Sequence, residues 1–178
     1  NINLSTVDTG FAENAVYNWS KKNKHRTERS DTAEVGSVIM TTGDNTIVAD
    51  DAVNVRAGNL IADQNLIVAA DRINVEAGRA TRDDYSETYT KKKGFLSSRT
   101  SHSISQNHAD TTVGSQLVGD TVTTLSTGDT TIKGSTVFGT NGVDMISTDG
   151  NINLQTSEDR FNNYNYRKDT KSGFGALG

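Results

Sequence analysis

The chain has no cysteine and no proline. Without cysteine there is no disulfide framework, no thiolate zinc site and no cysteine nucleophile. Average usage of roughly 5% would place about nine prolines in a chain of this length, so their absence describes a backbone that seldom has to break a hydrogen-bonded ladder. Large apolar side chains are also scarce. Leu, Ile, Val and Phe together make 37 of 178 residues, a composition at the border of disorder. Charge of one sign is lacking too: 22 acidic against 18 basic side chains give a formal net charge of −4, which excludes a generally basic nucleic-acid binder and charge-driven unfolding. The longest apolar run, Leu66 to Ala70, falls far short of the ~20 residues of a membrane-spanning helix. Neither end shows the basic, apolar, small-residue pattern of a secretion signal. The chain opens on Asn1-Ile2-Asn3-Leu4 and closes on Gly173-Phe174-Gly175, and both motifs recur inside it. It reads as a single segment, 1–178, excised from something longer.

What the sequence does contain is repetition, at two scales. Residues 45–58 return as 65–78, a shift of 20 with nine identities in fourteen positions. Val53 becomes Ile73 while Arg56 becomes Glu76, so apolar positions stay apolar and a surface-type position changes charge. Within each unit the alternation has period two, as in Val53-Asn54-Val55 and Ile73-Asn74-Val75, with Gly, Asp or Asn between the runs. Such short strands cannot bury an apolar face alone, whereas one coil of about 20 residues stacked on the next extends a continuous core at ~4.8 Å spacing. The expected fold is all-β, a parallel β-helix solenoid. Its inward ladders would be Val53 over Ile73, Val55 over Val75 and Val48 over Val68, with Ala57 over Ala77. Asn54 over Asn74 and Asn45 over Asn65 would form amide ladders, and Gly58 and Gly78 would turn the corner.

At the longer scale, a shift of 79 maps Tyr85 to Tyr164, Lys92 to Lys171 and Gly94-Phe95 to Gly173-Phe174, and Val35-Gly36-Ser37 matches Val113-Gly114-Ser115 at 78. Regular coils at about 35–79 and 113–156 thus alternate with three insertions at about 7–34, 80–112 and 157–178. Ten of the eleven aromatic residues fall in the insertions, Phe138 being the exception, together with most of the basic residues. Tyr17 and Trp19, then Tyr164 and Tyr166, alternate as in strands and are followed by lysine-rich turns. This predicts projecting β-hairpins or extended loops.

The chemistry-bearing residues are sparse. His25, His102 and His108 all lie in insertions without the spacing of metal ligands, and read as exposed loop histidines. Asp50, Asp51, Asp71, Asp83, Asp84 and Asp129 are the available acids. A glycosidase holds two carboxylates ~5 to 9.5 Å apart, and Asp51 over Asp71 offers such a pair on adjacent coils. Both, however, stand at a turn position where Asp bonds its own backbone. No phosphate cradle, nucleophile elbow or calcium-binding glycine repeat is present. No catalytic residue, cofactor or metal site is assigned. The lysine clusters beside aromatic rings, Lys21, Lys22, Lys91, Lys92, Lys93 and Lys171 with Tyr85, Tyr89, Phe95, Tyr164 and Tyr166, are the candidate partner-contact residues, by charge and ring stacking. The alternative is that such lysines keep exposed strand edges soluble.

Aliphatic coils with Ile-Asn-Val-x-Ala-Gly phrasing, interrupted by segments ending in Lys-Lys-Lys-Gly-Phe (91–95) and Lys-Ser-Gly-Phe-Gly (171–175), resemble the haemagglutinin-repeat region of filamentous haemagglutinin-like exoproteins. These are the secreted partners of two-partner secretion systems in Gram-negative bacteria, adhesins and contact-dependent growth inhibition effectors among them. The resemblance covers essentially the whole chain and is strongest to the second repeat region of the effectors. It implies a right-handed β-helix, secretion to the cell surface through an outer-membrane transporter, and no enzymatic role. The implied work is that of a shaft, in adhesion or in toxin delivery to neighbouring bacteria. Partners would be the transporter, a target-cell surface or outer membrane, and the rest of the same filament. No nucleic acid is expected. A carbohydrate-active β-helix using paired aspartates is the competing reading.

Overall fold

Residues 1–20 and 22–173 are described by the computed structural model, 18–20 by backbone alone. All sixteen elements are β-strands, and no described residue is helical. In chain order they are β1 (Ile2–Leu4), β2 (Val7–Ser20), β3 (Asn23–Val35), β4 (Val38–Thr41), β5 (Asn45–Val48) and β6 (Ala52–Arg56). Next come β7 (Asn59–Ala62), β8 (Asn65–Ala70), β9 (Arg72–Glu76), β10 (Gly78–Lys93) and β11 (Ser97–Val113). The last five are β12 (Gln116–Ser126), β13 (Thr130–Lys133), β14 (Thr136–Ser147), β15 (Ile152–Gln155) and β16 (Arg160–Gly173). They divide between two compact units, one of residues 1–9, 33–80 and 111–159, the other of 10–32, 81–110 and 160–178.

The first unit is built of parallel pairs. One sheet runs β1-β6-β9-β13-β15. Its register stacks Ile2, Val53, Ile73, Thr130 and Ile152 in one column and Leu4, Val55, Val75, Ile132 and Leu154 in another. The other sheet pairs β4 with β7 and β5 with β8. The long β12 spans both, pairing through residues 116–118 with β7 and through 121–126 with β8, and β14 lies on β12. The core is aliphatic: Val53, Leu60, Leu66, Val68, Ile73, Val75, Leu117 and Val122 are fully enclosed. Period-two alternation sends every second residue inward, so each short strand contributes one or two of these side chains, and stacking joins them into one core.

The expected ladders Val53 over Ile73, Val55 over Val75 and Asn54 over Asn74 are present. The amide ladder extends to a third rung, Asn74 Nδ2 donating to Asn54 Oδ1 at 2.8 Å and Asn54 Nδ2 to Asn3 Oδ1 at 2.7 Å. Two other expected ladders are overturned. Asn45 lies opposite Leu66, not Asn65, and Val48 lies opposite Ala69, not Val68. The shift is 21 between β5 and β8 but 20 between β6 and β9, because Asp50-Asp51 occupies a corner that Asp71 turns alone. A one-residue slip moves every side chain to the other face: Val68 is 0% exposed while Val48 is 62% exposed, and Ile47 at 8% takes the inward place. Asp44 Oδ1, not Asn45, accepts from Asn65 Nδ2 at 2.9 Å.

The corner glycines also work differently from expectation. The left-handed residue after the β6 and β13 rungs is Ala57 (φ 46°) and Gly134 (φ 57°) respectively, a conformation that glycine adopts without cost. Gly58 and Gly78 serve clearance instead. A Cβ at Gly78 would run into Glu34 Oε2 and lie 2.8 Å from Ala57 Cβ.

The second unit is a single five-stranded sheet ordered β16-β11-β10-β3-β2. β11 and β16 are antiparallel, Ser97 opposite Gly173 through Asp110 opposite Arg160. Lys22, just before β3, meets Lys91 of β10, and along β3 His25 meets Thr88 and Thr32 meets Thr81, numbers that rise on one strand as they fall on the other. This pair is antiparallel too. The turn 94–96 joins β10 to β11 as a hairpin, the form that short connections impose. None of the described residues in this unit is buried, so the sheet is a single layer, held by its ladders and by cross-strand side-chain pairs.

Candidate partner-contact face

Alternation along the strands gives this single layer two different faces. On one face His102 of β11 is the centre. Its Nε2 lies 2.7 Å from Glu87 Oε1, and its ring stands edge-on to Tyr89 (6.1 Å between centroids) and Tyr166 (5.9 Å). Tyr85 Oη donates to Glu87 Oε2 at 3.0 Å, and the Arg26 guanidinium sits 5.6 Å over the Tyr85 ring. Three strands, β3, β10 and β11, thus deliver one connected cluster, and β16 adds Tyr166 to it. The His102 hydrogen bond, followed by that of Tyr85, holds the Glu87 carboxyl below its ordinary range. Partial burial, reinforced by the Glu87 bond, pushes the Tyr85 hydroxyl upward.

Further along the same sheet, all five strands line an open groove of about 730 Å³, with Asn14, Glu28, Tyr85, Gln106 and Tyr164 among the lining residues, one named from each strand. His108 Nδ1 lies 2.6 Å from Asp83 Oδ1 at its margin. The groove carries amides, carboxylates and phenol rings, whereas the lysines gather toward the β10–β11 turn. The opposite face is one of ion pairs. Arg29 with Asp31, Arg82 with Asp84 and Arg167 with Asp169 repeat the same two-residue spacing on three strands. Arg29 approaches Asp84 (4.0 Å) and Arg82 approaches Asp31 (3.9 Å) across the ladder. The bond to Asp84 raises the Arg82 pKa, and Ser101 followed by Arg167 lowers that of Asp169.

Of the candidate contact residues, Tyr85, Tyr89 and Tyr166 converge on the His102 cluster, and Tyr164 shares their face one alternate position from Tyr166. Lys22 and Lys91 lie across the ladder from each other, with Lys91 N–H donating to Lys22 O, and Lys93 follows on the same side as Lys91. Lys92 and Lys171 point to the ion-paired face by alternation, Lys171 standing opposite Arg99. Phe95 is 99% exposed in the hairpin turn. Lys21 lies outside the described residues. His25, His102 and His108, expected in exposed loops, are strand residues bonded to Thr88, Glu87 and Asp83. Glu87, Arg26 and His102 are members of the face that the sequence reading did not single out. For Glu87 a signal is present in retrospect, as the alternate position between Tyr85 and Tyr89; Arg26 and His102 stand on strands without a tyrosine and carry none.

The acids raised for carbohydrate chemistry are engaged elsewhere. The Asp51 carboxylate pairs with Arg72 at 2.5 Å and its carbonyl accepts from Arg72 N–H. The Asp71 carbonyl accepts from Gly128 N–H, and Asp129 Oδ1 accepts from Asn151 N–H. These are corner-forming roles.

Residues 18–165 match the family described as Hemagglutinin repeat. Among curated proteins, "tRNA nuclease CdiA" from Escherichia coli strain STEC_O31 is 32% identical over 101 residues, which is 56% of this chain and 3% of that protein. The proteins of the same name from E. coli O6:K15:H31 (strain 536 / UPEC) and strain NC101 match to the same extent. The chain therefore spans a small part of the length of these relatives. No solved structure matches it.

Proposed function

The chain belongs to the hemagglutinin-repeat family, and on that premise we propose that it is a non-catalytic segment of a much longer, filamentous two-partner secretion exoprotein, displayed at the surface of a Gram-negative bacterium. In this reading the parallel unit is a right-handed β-helical shaft and the segments at about 7–34, 80–112 and 157–178 are its insertions. The observation that carries the shaft role is the pair of five-member columns, Ile2 to Ile152 and Leu4 to Leu154, that run unbroken through the parallel sheet. Such a stack adds rungs without changing its cross-section. Export would use an outer-membrane transporter, and the nuclease activity in the relatives' name would belong to a region beyond the shared one. Contact-dependent delivery of a toxin to neighbouring bacteria is favoured over plain adhesion by the CdiA likeness.

The tyrosine-histidine face with Lys22, Lys91, Lys93 and Phe95 is the surface proposed to meet a target-cell envelope. Its test is binding to outer-membrane vesicles. A Lys91→Glu/Lys93→Glu/Phe95→Ser variant should bind at least fivefold less, while Lys92→Glu/Lys171→Glu, on the other face, should bind within twofold of the parent. Equal losses, or no binding by the parent chain, would remove the contact role.

A further inference from the structure

One face of the second unit is ruled into rows that cross all five strands. The contacts of Thr9 with Ala33 and Tyr17 with His25 set Asn14 opposite Glu28, and those between β3 and β10 set Glu28 opposite Tyr85. Asp83 with His108 and Tyr89 with His102 set Tyr85 opposite Gln106, which in turn lies opposite Tyr164. Asn14, Glu28, Tyr85, Gln106 and Tyr164 therefore form one row, its members spaced as neighbouring strands are, at ~4.8 Å. By the same register the next row on that face is Ala12, Ser30, Asp83, His108 and Asn162. These two rows line the groove of about 730 Å³, and the short side chains of Ala12, Ser30 and Asp83 leave room beside Tyr85 and Tyr164.

We propose that this groove is a binding site for a neutral, extended β-1,4-linked oligosaccharide laid across the strands, one sugar to a strand. The spacing fits such a chain, because neighbouring strands stand about one pyranose ring apart and alternate sugars of a β-1,4 ribbon present the same face. Tyr85 and Tyr164, two strands or about 10 Å apart, meet alternate sugars with their apolar ring bodies, and Gln106 serves the sugar between. Tyr164 is 52% exposed, and among the described residues its ring contacts no other ring, unlike Tyr89 and Tyr166 on His102. The polar groups needed for hydroxyls are open as well. In the parallel unit the Asn54 and Asn74 amides bond one another, whereas among the described residues the side chains of Asn14, Gln106 and Asn162 have no protein partner. Each such amide offers two donors and an acceptor. Charge sets the class of sugar. No lysine lines the groove, and Arg29 pairs with Asp31 on the other face, so an anionic glycan finds no free cation. Glu28 is engaged by Arg26 and Asp83 by His108, so neither acid is left for an amino sugar.

The groove shares a face with the lysine end of the sheet but uses none of its cations, so this site and the envelope-contact role can fail separately. The test is titration calorimetry of the whole chain with cellohexaose and N-acetylchitohexaose. At least one of the two should bind at least tenfold tighter than maltohexaose, whose α-linkages coil, and tenfold tighter than the anionic hexagalacturonate or the cationic glucosamine hexamer. Affinity should rise at least tenfold from the disaccharide to the tetrasaccharide of that series, as successive strands are covered. Tyr164→Ala and Gln106→Ala should each weaken binding at least fivefold, and Tyr164→Phe, which keeps the ring, should stay within twofold of the parent. Lys91→Glu/Lys93→Glu/Phe95→Ser should bind the sugar within twofold of the parent even where it loses vesicle binding. No binding of either neutral hexamer, equal binding of a charged one, unchanged affinity in both Tyr164→Ala and Gln106→Ala, or a matching loss in the lysine variant would overturn the proposal.

Discussion

Replacing Val68 by alanine is the sharpest probe of the parallel core, because an apparently equivalent residue is available as a control. In a uniform 20-residue repeat, Val48 and Val68 occupy the same place. In the structure Val68 is 0% exposed, between Ile47 and Thr124 in the stack, and Val48 is 62% exposed. Valine to alanine deletes two carbons, about 1.6 kcal/mol of transfer free energy at about 0.8 per buried carbon. The rungs above and below hold the surrounding atoms apart, so a cavity term brings the expected loss for Val68→Ala to about 2–3 kcal/mol. Val48→Ala should cost about 0.5 kcal/mol or less. The isoleucines give the mirrored result: Ile47→Ala about 3 kcal/mol, Ile67→Ala, at 36% exposure, about 1. Urea unfolding followed by far-ultraviolet circular dichroism reads these as midpoint shifts at constant slope. Equal shifts for Val48→Ala and Val68→Ala, or a larger one for Ile67→Ala than for Ile47→Ala, would refute the slipped register.

Further expectations follow from named residues. Arg56 donates to Glu34 at 2.9 Å and approaches Glu76 at 3.5 Å, and the Glu34 bond raises its pKa. Arg56→Asp sets a third carboxylate beside these two and should cost about 1–2 kcal/mol, a loss that Glu34→Gln should partly restore in thermal melts. Asn54→Ala removes both amide bonds of the three-rung ladder and should cost about 1–2 kcal/mol by the same assay. Glu87 has a depressed pKa in the folded chain, so its contribution is present above the ordinary carboxylate range and lost as pH falls through the lowered folded value. Tyr85, raised, gives a contribution present below its ordinary value near 10 and lost as pH climbs through the folded one. Glu87→Gln should flatten the acid limb of a stability-against-pH curve, and an unchanged limb would exclude the His102–Glu87 pair as its source. Leu154 and Ile152 stand exposed on the last parallel rung, and Leu154→Lys should reduce concentration-dependent self-association in light scattering.

Much of the parallel unit was legible because its signal is local. Val53-Asn54-Val55 and Ile73-Asn74-Val75 announce alternation, repeat spacing and an amide ladder within a few residues, and their pairing follows. The slip at β5 was not legible, since the identities at Asn45, Ile47 and Val48 favour the gapless alignment and the extra corner residue at Asp50-Asp51 only shows once hydrogen bonds are drawn. On the candidate face, the tyrosines and lysines were visible as a composition shift. His102 and Glu87 were not, because their meeting depends on the register between β10 and β11, which a seventeen-residue Ser-, Thr- and Asn-rich strand without an apolar stripe does not disclose. The same absence of a stripe explains why two polar faces suit this sheet.

The columns of the parallel unit have a mechanical corollary. Among the described residues, each strand of that sheet pairs in the ladder only with the strands directly above and below it, as β6 does with β1 and β9, so traction on one terminus loads a single set of ladder bonds at a time. The unit should peel coil by coil at low, evenly spaced force and wind back in the reverse order, and with no cross-link to catch and no prolyl bond to wait for, the rewinding should show no slow phase.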